Sequence, residues 1–70
     1  QKGPSWSEEA MILTPREKEI LEQLSKGYRY KEIAAKLFLS VETVRTHIRN
    51  IYDKLHVDSR TEALNKAYKK

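Results

Sequence analysis

Ser40-Val41-Glu42-Thr43-Val44-Arg45-Thr46-His47-Ile48-Arg49-Asn50-Ile51-Tyr52-Asp53-Lys54-Leu55 is the segment against which the rest of the chain can be placed. At about 100° per residue, Val41, Val44, Ile48, Ile51 and Leu55 fall within a sector of about 80°, so 41–55 reads as a helix with one stripe turned to a core. Ser40 stands where a cap is needed, able to accept from the orphan N–H groups of Glu42 or Thr43. Opposite the stripe, Glu42, Arg45, Thr46, Arg49 and Asp53 lie within roughly 100° of one another, the first four in the first half of the helix.

Upstream, 30–37 carries Tyr30, Ile33, Ala34 and Leu37 on one side, with Lys31 and Lys36 off it. A helix so short depends on its neighbours for stability. Phe38-Leu39-Ser40 leaves room only for a turn, so two helices meet at a tight corner. Farther upstream, Thr14-Pro15-Arg16-Glu17 is a helix start: a threonine cap, a proline whose missing N–H costs nothing there, and a glutamate placed to close a capping box. That helix is expected over 15–26, with Ile20, Leu21 and Leu24 inward and Gly27 as the residue that turns the chain out. Glu17 projects on the inward side, where it either completes the box or meets a cation such as Arg60.

Downstream, His56-Val57-Asp58 interrupts the stripe, and Ser59-Arg60-Thr61-Glu62 reads as a second capping box opening a helix over 60–68. Ala63 and Ala67 form a narrow strip beside Leu64 and Tyr68, which either completes the core or meets a second copy of the chain. Two glycines, two prolines and no alternating apolar stretch leave an all-α domain of four helices. Residues 1–12 show no helical stripe. With Gly3, Pro4, Ser5 and Ser7, they read as a linker or flexible arm in which Trp6, Met11 and Ile12, with Leu13 at its end, pack locally, the ordered domain starting near Leu13.

Seventy residues that are 39% apolar support one small core, and without cysteine neither disulfides nor thiolate zinc can reinforce it. No stretch approaches the roughly 20 apolar residues of a membrane span, and no signal-peptide pattern opens the chain, so a soluble cytoplasmic protein is expected. His47 and His56 do not stand at the i, i+4 spacing of a helical zinc site, and there is no glycine-rich phosphate loop. Neither a metal nor a cofactor is expected, and no constellation supports an enzyme.

The net charge of +4 suits a polyanion. Its excess sits in 28–39, with Arg29, Lys31 and Lys36 against Glu32, and in 59–70, with Arg60, Lys66, Lys69 and Lys70 against Glu62. A helix that follows another by a tight corner can lie in the DNA major groove while the first crosses the backbone. Arginine can donate two bonds to guanine O6 and N7, and threonine offers a methyl to thymine, so Arg45, Thr46 and Arg49 suit base reading. Lys31 and Lys36, with Lys54 at the far end of 41–55, supply cations for phosphate. The plainer alternative is a solvated face laced by ion pairs among Glu42, Arg45, Arg49 and Asp53.

The runs Leu13-Thr14-Pro15-Arg16-Glu17, Gly27, Lys31-Glu32-Ile33-Ala34 with Leu37, Ser40-Val41-Glu42-Thr43-Val44-Arg45-Thr46-His47, Lys54-Leu55 and Ser59-Arg60-Thr61-Glu62-Ala63, in this order, resemble the LuxR-type (GerE-like) helix-turn-helix effector domain of bacterial transcription regulators. Each run is weak alone; together at these spacings they are specific, and they cover about residues 13–68. They look most similar to the output domains of two-component response regulators. The resemblance implies that 1–12 is a linker from a missing N-terminal receiver domain and 13–70 the DNA-binding domain. It implies base contact by Arg45, Thr46 and Arg49 with Glu42 near the groove, and backbone contact by Lys31, Thr43 and His47; Ser40 at the cap and Lys54 at the far end of the helix complete the expected backbone-contacting set. Leu64 and Tyr68 would dimerise, and Glu17 and Arg60 would form a structural acid–arginine pair.

The function expected is therefore sequence-specific binding of double-stranded DNA in transcription regulation, as a homodimer on half-sites about one helical turn apart, with RNA polymerase a further partner and no membrane. The competing readings are a helical protein-interaction module working through Leu64 and Tyr68, and a sigma-factor-like promoter reader. The latter normally lacks the Lys-Leu and Ser-Arg-Thr-Glu-Ala tail.

Overall fold

A computed structural model describes residues 6–68. A 3-10 helix, Glu8–Ile12, precedes four α-helices: α1 Pro15–Ser25, α2 Tyr30–Leu37, α3 Val41–Leu55 and α4 Arg60–Ala67. Among the described residues there is no strand, only an isolated antiparallel bridge between Trp6 and Tyr68. The helices fall within a residue of the expected ranges.

Local chemistry accounts for most of these boundaries. Thr14 Oγ1 accepts from the Glu17 N–H (3.1 Å) while Glu17 Oε1 accepts from the Thr14 N–H (2.9 Å), a closed capping box. Gly27 ends α1 with φ +90; a Cβ there would touch nothing, so it is the dihedral that favours glycine. Arg29, before α2, has no side-chain acceptor, and only the return half of a box forms, Glu32 Oε1 accepting from its N–H at 2.7 Å. At α4 the expected box is shifted: Ser59 Oγ accepts from the Glu62 N–H, but Glu62 reaches back to the N–H of Asp58.

α3 is the central rod, packed against α1, α2, α4 and the 3-10 helix. Val44, Ile48, Ile51 and Leu55 are buried against Ile20, Leu21, Leu24, Ile33, Ala34, Ala63 and Ala67, with Val41 half-buried at its start. Burying such side chains, at about 1.5–3 kcal/mol for each large aliphatic, offsets the entropy of ordering short helices that would not form alone.

Residues 6–12, within the stretch expected as an arm, are anchored on this body through Trp6, Ser7 and Ala10, whereas Met11 and Ile12, expected to pack locally, are exposed. Ala10 is fully buried. The Ser7 N–H and hydroxyl donate to the carbonyls of Ala67 (2.7 Å) and Lys66 (2.5 Å), satisfying groups that the end of α4 would leave bare. The Trp6 ring lies 4.9 Å from that of Tyr68, with the Lys18 ammonium 5.7 Å from the indole. Tyr68, expected to meet a second copy, is therefore engaged within its own chain. Its hydroxyl is buried with no well-formed hydrogen bond among the described residues, and this burial, with Glu22 nearby, raises its pKa against the opposing effect of the Ser25 hydroxyl.

Candidate nucleic-acid interface

Because the apolar stripe of α3 is held inward, its opposite face is held outward. Glu42, Arg45, Thr46, Arg49 and Asp53 are all exposed. Among the described residues neither Arg45 nor Arg49 has a carboxylate within the 4.0 Å of a salt bridge, so the ion-paired alternative is not formed and both side chains are exposed. Thr46, exposed, donates its hydroxyl proton to the Glu42 carbonyl (3.1 Å), so the hydroxyl oxygen keeps only its acceptor capacity for an outside group. Asn50, which the sequence reading passed over, is exposed on the same face. Its position one turn beyond Thr46 was the signal, and its amide can both donate to and accept from adenine.

The two edges of α3 differ. On one, Arg45, Arg49 and Tyr52 border an open groove of about 380 Å³ closed by Tyr30, Asp53 and Asp58. Burial and the neighbouring Tyr30 raise the pKa of Tyr52, while Arg60 acts the other way. On the other edge, Thr43, His47 and Lys54 succeed one another along the helix. Ser40 Oγ accepts from the Thr43 N–H at 3.0 Å and lies 2.9 Å from Thr43 Oγ1. Two hydroxyls sharing one mutual bond keep one proton between them for an outside acceptor. His47 is half-buried and close enough to Glu17 for its charge to favour the carboxylate. Lys31 stands exposed in the first turn of α2, and Lys36 Nζ lies 4.5 Å from the Tyr28 ring centre.

The expected Glu17–Arg60 pair is not the one formed. Glu17, only 4% exposed, accepts from Lys54 Nζ at 2.8 Å, while Arg60 is exposed on the Tyr52 side. Burial alone would raise the pKa of Glu17; the Lys54 hydrogen bond, the Thr14 N–H, and the charges of Lys54 and His47 together outweigh it and hold the carboxyl below its ordinary 4.5. The Lys54 ammonium, expected to be free for phosphate, is thereby paired within the chain. Leu64 is half-buried beside the core and Tyr68 is covered by Trp6, so of the expected dimerisation pair Leu64 has the freer side chain.

With this geometry in place, the similarities to known proteins become specific. The model of the bacterial regulatory proteins, luxR family, matches residues 11–67. The oxygen regulatory protein NreC of Staphylococcus carnosus is 46% identical over the whole chain, which spans 32% of that protein's length. The chain spans about a third or less of the curated relatives it matches. The transcription factor GerE superposes with a TM-score of 0.76 at 42% identity, covering 79% of this chain and 82% of GerE. The response regulator ChrA of a heme-sensing two-component system superposes with a TM-score of 0.75 at 50% identity, covering 77% of this chain and 27% of ChrA. No helix among the described residues is long and apolar enough to cross a membrane. A helix-turn-helix corner, an outward α3 face free of ion pairs and a family match over nearly the full chain together make this a member of the luxR family of bacterial regulatory proteins, whose domain serves DNA-binding transcription regulation.

Proposed function

We propose that the domain reads duplex DNA by sequence, with α3 in the major groove, and that it is the output domain of a response regulator acting in the cytoplasm. The observation that carries this reading is the pair of unencumbered arginines, Arg45 and Arg49, one turn apart on the exposed face of α3, with Thr46 and Asn50 beside them. Arginine forks suit guanine, the threonine methyl suits thymine and the amide suits adenine, so one surface supplies several distinct preferences. Glu42 at the groove mouth penalises indiscriminate approach to phosphate and favours reading over adhesion.

Phosphate contacts set the register. Lys31, the hydroxyl pair of Ser40 and Thr43, and His47 are the groups assigned to that role. Lys54 acts one step removed, holding Glu17 and hence the start of α1 against the far end of α3. Likeness to NreC and ChrA supports the response-regulator origin, and residues 1–12 then join the domain to a receiver. A second copy pairs through Leu64 on α4, which sets two reading helices on half-sites about one turn apart.

Titrating duplex DNA at several salt concentrations tests the reading. Log affinity should fall with log salt by about 0.9 for each phosphate neutralised. A shallow slope with negligible affinity would instead assign the outer face of α3 to a protein partner.

A further inference from the structure

The corner between α2 and α3 is turned by a residue that local chemistry disfavours. Phe38 adopts φ 58, ψ 45, and its N–H and that of Leu39 both reach the carbonyl of Ala34, the latter at 2.8 Å. This left-handed closure suits glycine or asparagine, because a Cβ crowds the following carbonyl oxygen. The ring gives nothing back inside the chain: Phe38 is 93% exposed, the most exposed of the large apolar side chains among the described residues. A residue that strains the backbone and also leaves an aromatic ring in water points to an outside contact.

We propose that Phe38 lies against the deoxyribose edge of a DNA strand where α3 enters the groove. This inference rests on the DNA-binding reading above and adds a contact that neither charge nor hydrogen bonding would supply. Phe38 stands two positions before Ser40, and so at the N-terminal end of α3 that carries the Ser40–Thr43 hydroxyls, Glu42 and Arg45. Lys31 and Lys36 are exposed on the preceding helix. A nucleic-acid strand alternates anionic phosphates with carbon-rich sugars. Phe38 follows the helix that carries exposed Lys31 and precedes the Ser40–Thr43 hydroxyls, so an exposed apolar ring stands in the chain between a cation and hydroxyls suited to phosphate and leads into the reading face.

The opposite end of α3 provides a matched control. His56 has the same φ of 58, is exposed, and closes its helix with the Val57 N–H on the Tyr52 carbonyl at 3.0 Å. It lies at the end remote from Arg45 and from the helix-turn-helix corner.

The test compares the unmodified chain with Phe38→Gly, Phe38→Asn and His56→Gly in thermal melts and in anisotropy titrations on the duplex the unmodified chain selects. All three variants should melt at or above the parent temperature, because each suits the left-handed dihedral better. Both Phe38 variants should bind roughly five- to tenfold more weakly, as expected for losing about half of a buried phenyl contact, with the salt slope unchanged. His56→Gly should bind like the parent. Phe38 variants that bind within about twofold of the parent overturn the proposal. So does a transcription defect with binding intact, which would assign the ring to a protein such as a polymerase subunit. If the unmodified chain selects no duplex, the DNA-binding reading itself fails and this contact with it.

Discussion

Replacing Glu17 probes the link between the first and third helices. Its carboxylate serves two donors, the Thr14 N–H at 2.9 Å and Lys54 Nζ at 2.8 Å, from a side chain only 5% exposed. Losing the cap bond costs about 1 kcal/mol. Losing the Lys54 bond costs about 1–1.5 kcal/mol rather than the full value of a charged hydrogen bond, because the Lys54 side chain is 35% exposed and can return to water. Glu17→Ala should therefore destabilise by about 2–2.5 kcal/mol, and Glu17→Gln, which keeps an acceptor for Thr14, by about 1 kcal/mol. Lys54→Met should cost about 1–2 kcal/mol, since it leaves a buried carboxylate without its cation, whereas Arg60→Ala should stay within about 0.5 kcal/mol of the parent.

Urea unfolding at neutral pH measures all four, and the double variant Glu17→Gln/Lys54→Met isolates the coupling. The sign with pH is fixed as well. A carboxyl whose pKa is lowered by folding stabilises fully above its ordinary 4.5 and loses that contribution as pH falls through the lowered folded value. Glu17→Gln should flatten the acid limb of the stability curve. An Arg60→Ala loss equal to that of Lys54→Met, or an unchanged acid limb in Glu17→Gln, would refute the assignment of Lys54 as the partner.

On DNA, Arg45→Ala or Arg49→Ala should cost about 1–3 kcal/mol on the selected site and much less on random duplex; equal losses on both would mean that the arginine holds phosphate. Lys31→Ala should weaken both duplexes alike and flatten the salt slope by about one unit, read from titrations at several salt concentrations. Leu64→Asp should impair binding to paired half-sites far more than single-site binding, with a modest loss in the circular-dichroism melt because Leu64 is half-buried against the core. Tyr68→Asp should lower the melt itself, because it removes the ring packed on Trp6 and puts a charge in its part-buried place.

The features legible in the sequence are those whose causes are local. The starts of α1 and α3 follow from Thr14 and Ser40 as caps, the end of α1 from Gly27, and the outward face of α3 from the period of Val44, Ile48, Ile51 and Leu55, so the base-reading candidates could be named without coordinates. What was not legible depends on residues far apart in the chain or on a local rule being broken. Lys54 and Arg60 are both long cations that follow α1, and only the packing angle of α3 on α1 decides which one Glu17 meets. The Trp6–Tyr68 contact joins the two ends of the described chain, a pairing that no periodicity encodes. Phe38 stands where a glycine would have announced a left-handed corner, so its backbone state was hidden behind an ordinary apolar letter.

The proposed function requires that the face of α3 bearing Arg45, Thr46 and Arg49 distinguish one base sequence from another. Selection of bound duplexes from a random library by the unmodified chain addresses this directly, with the Arg45→Ala/Arg49→Ala double variant run in parallel. Enrichment of a defined motif that the double variant fails to enrich is the predicted result. Recovery of no motif, or of the same motif by both proteins, would contradict it.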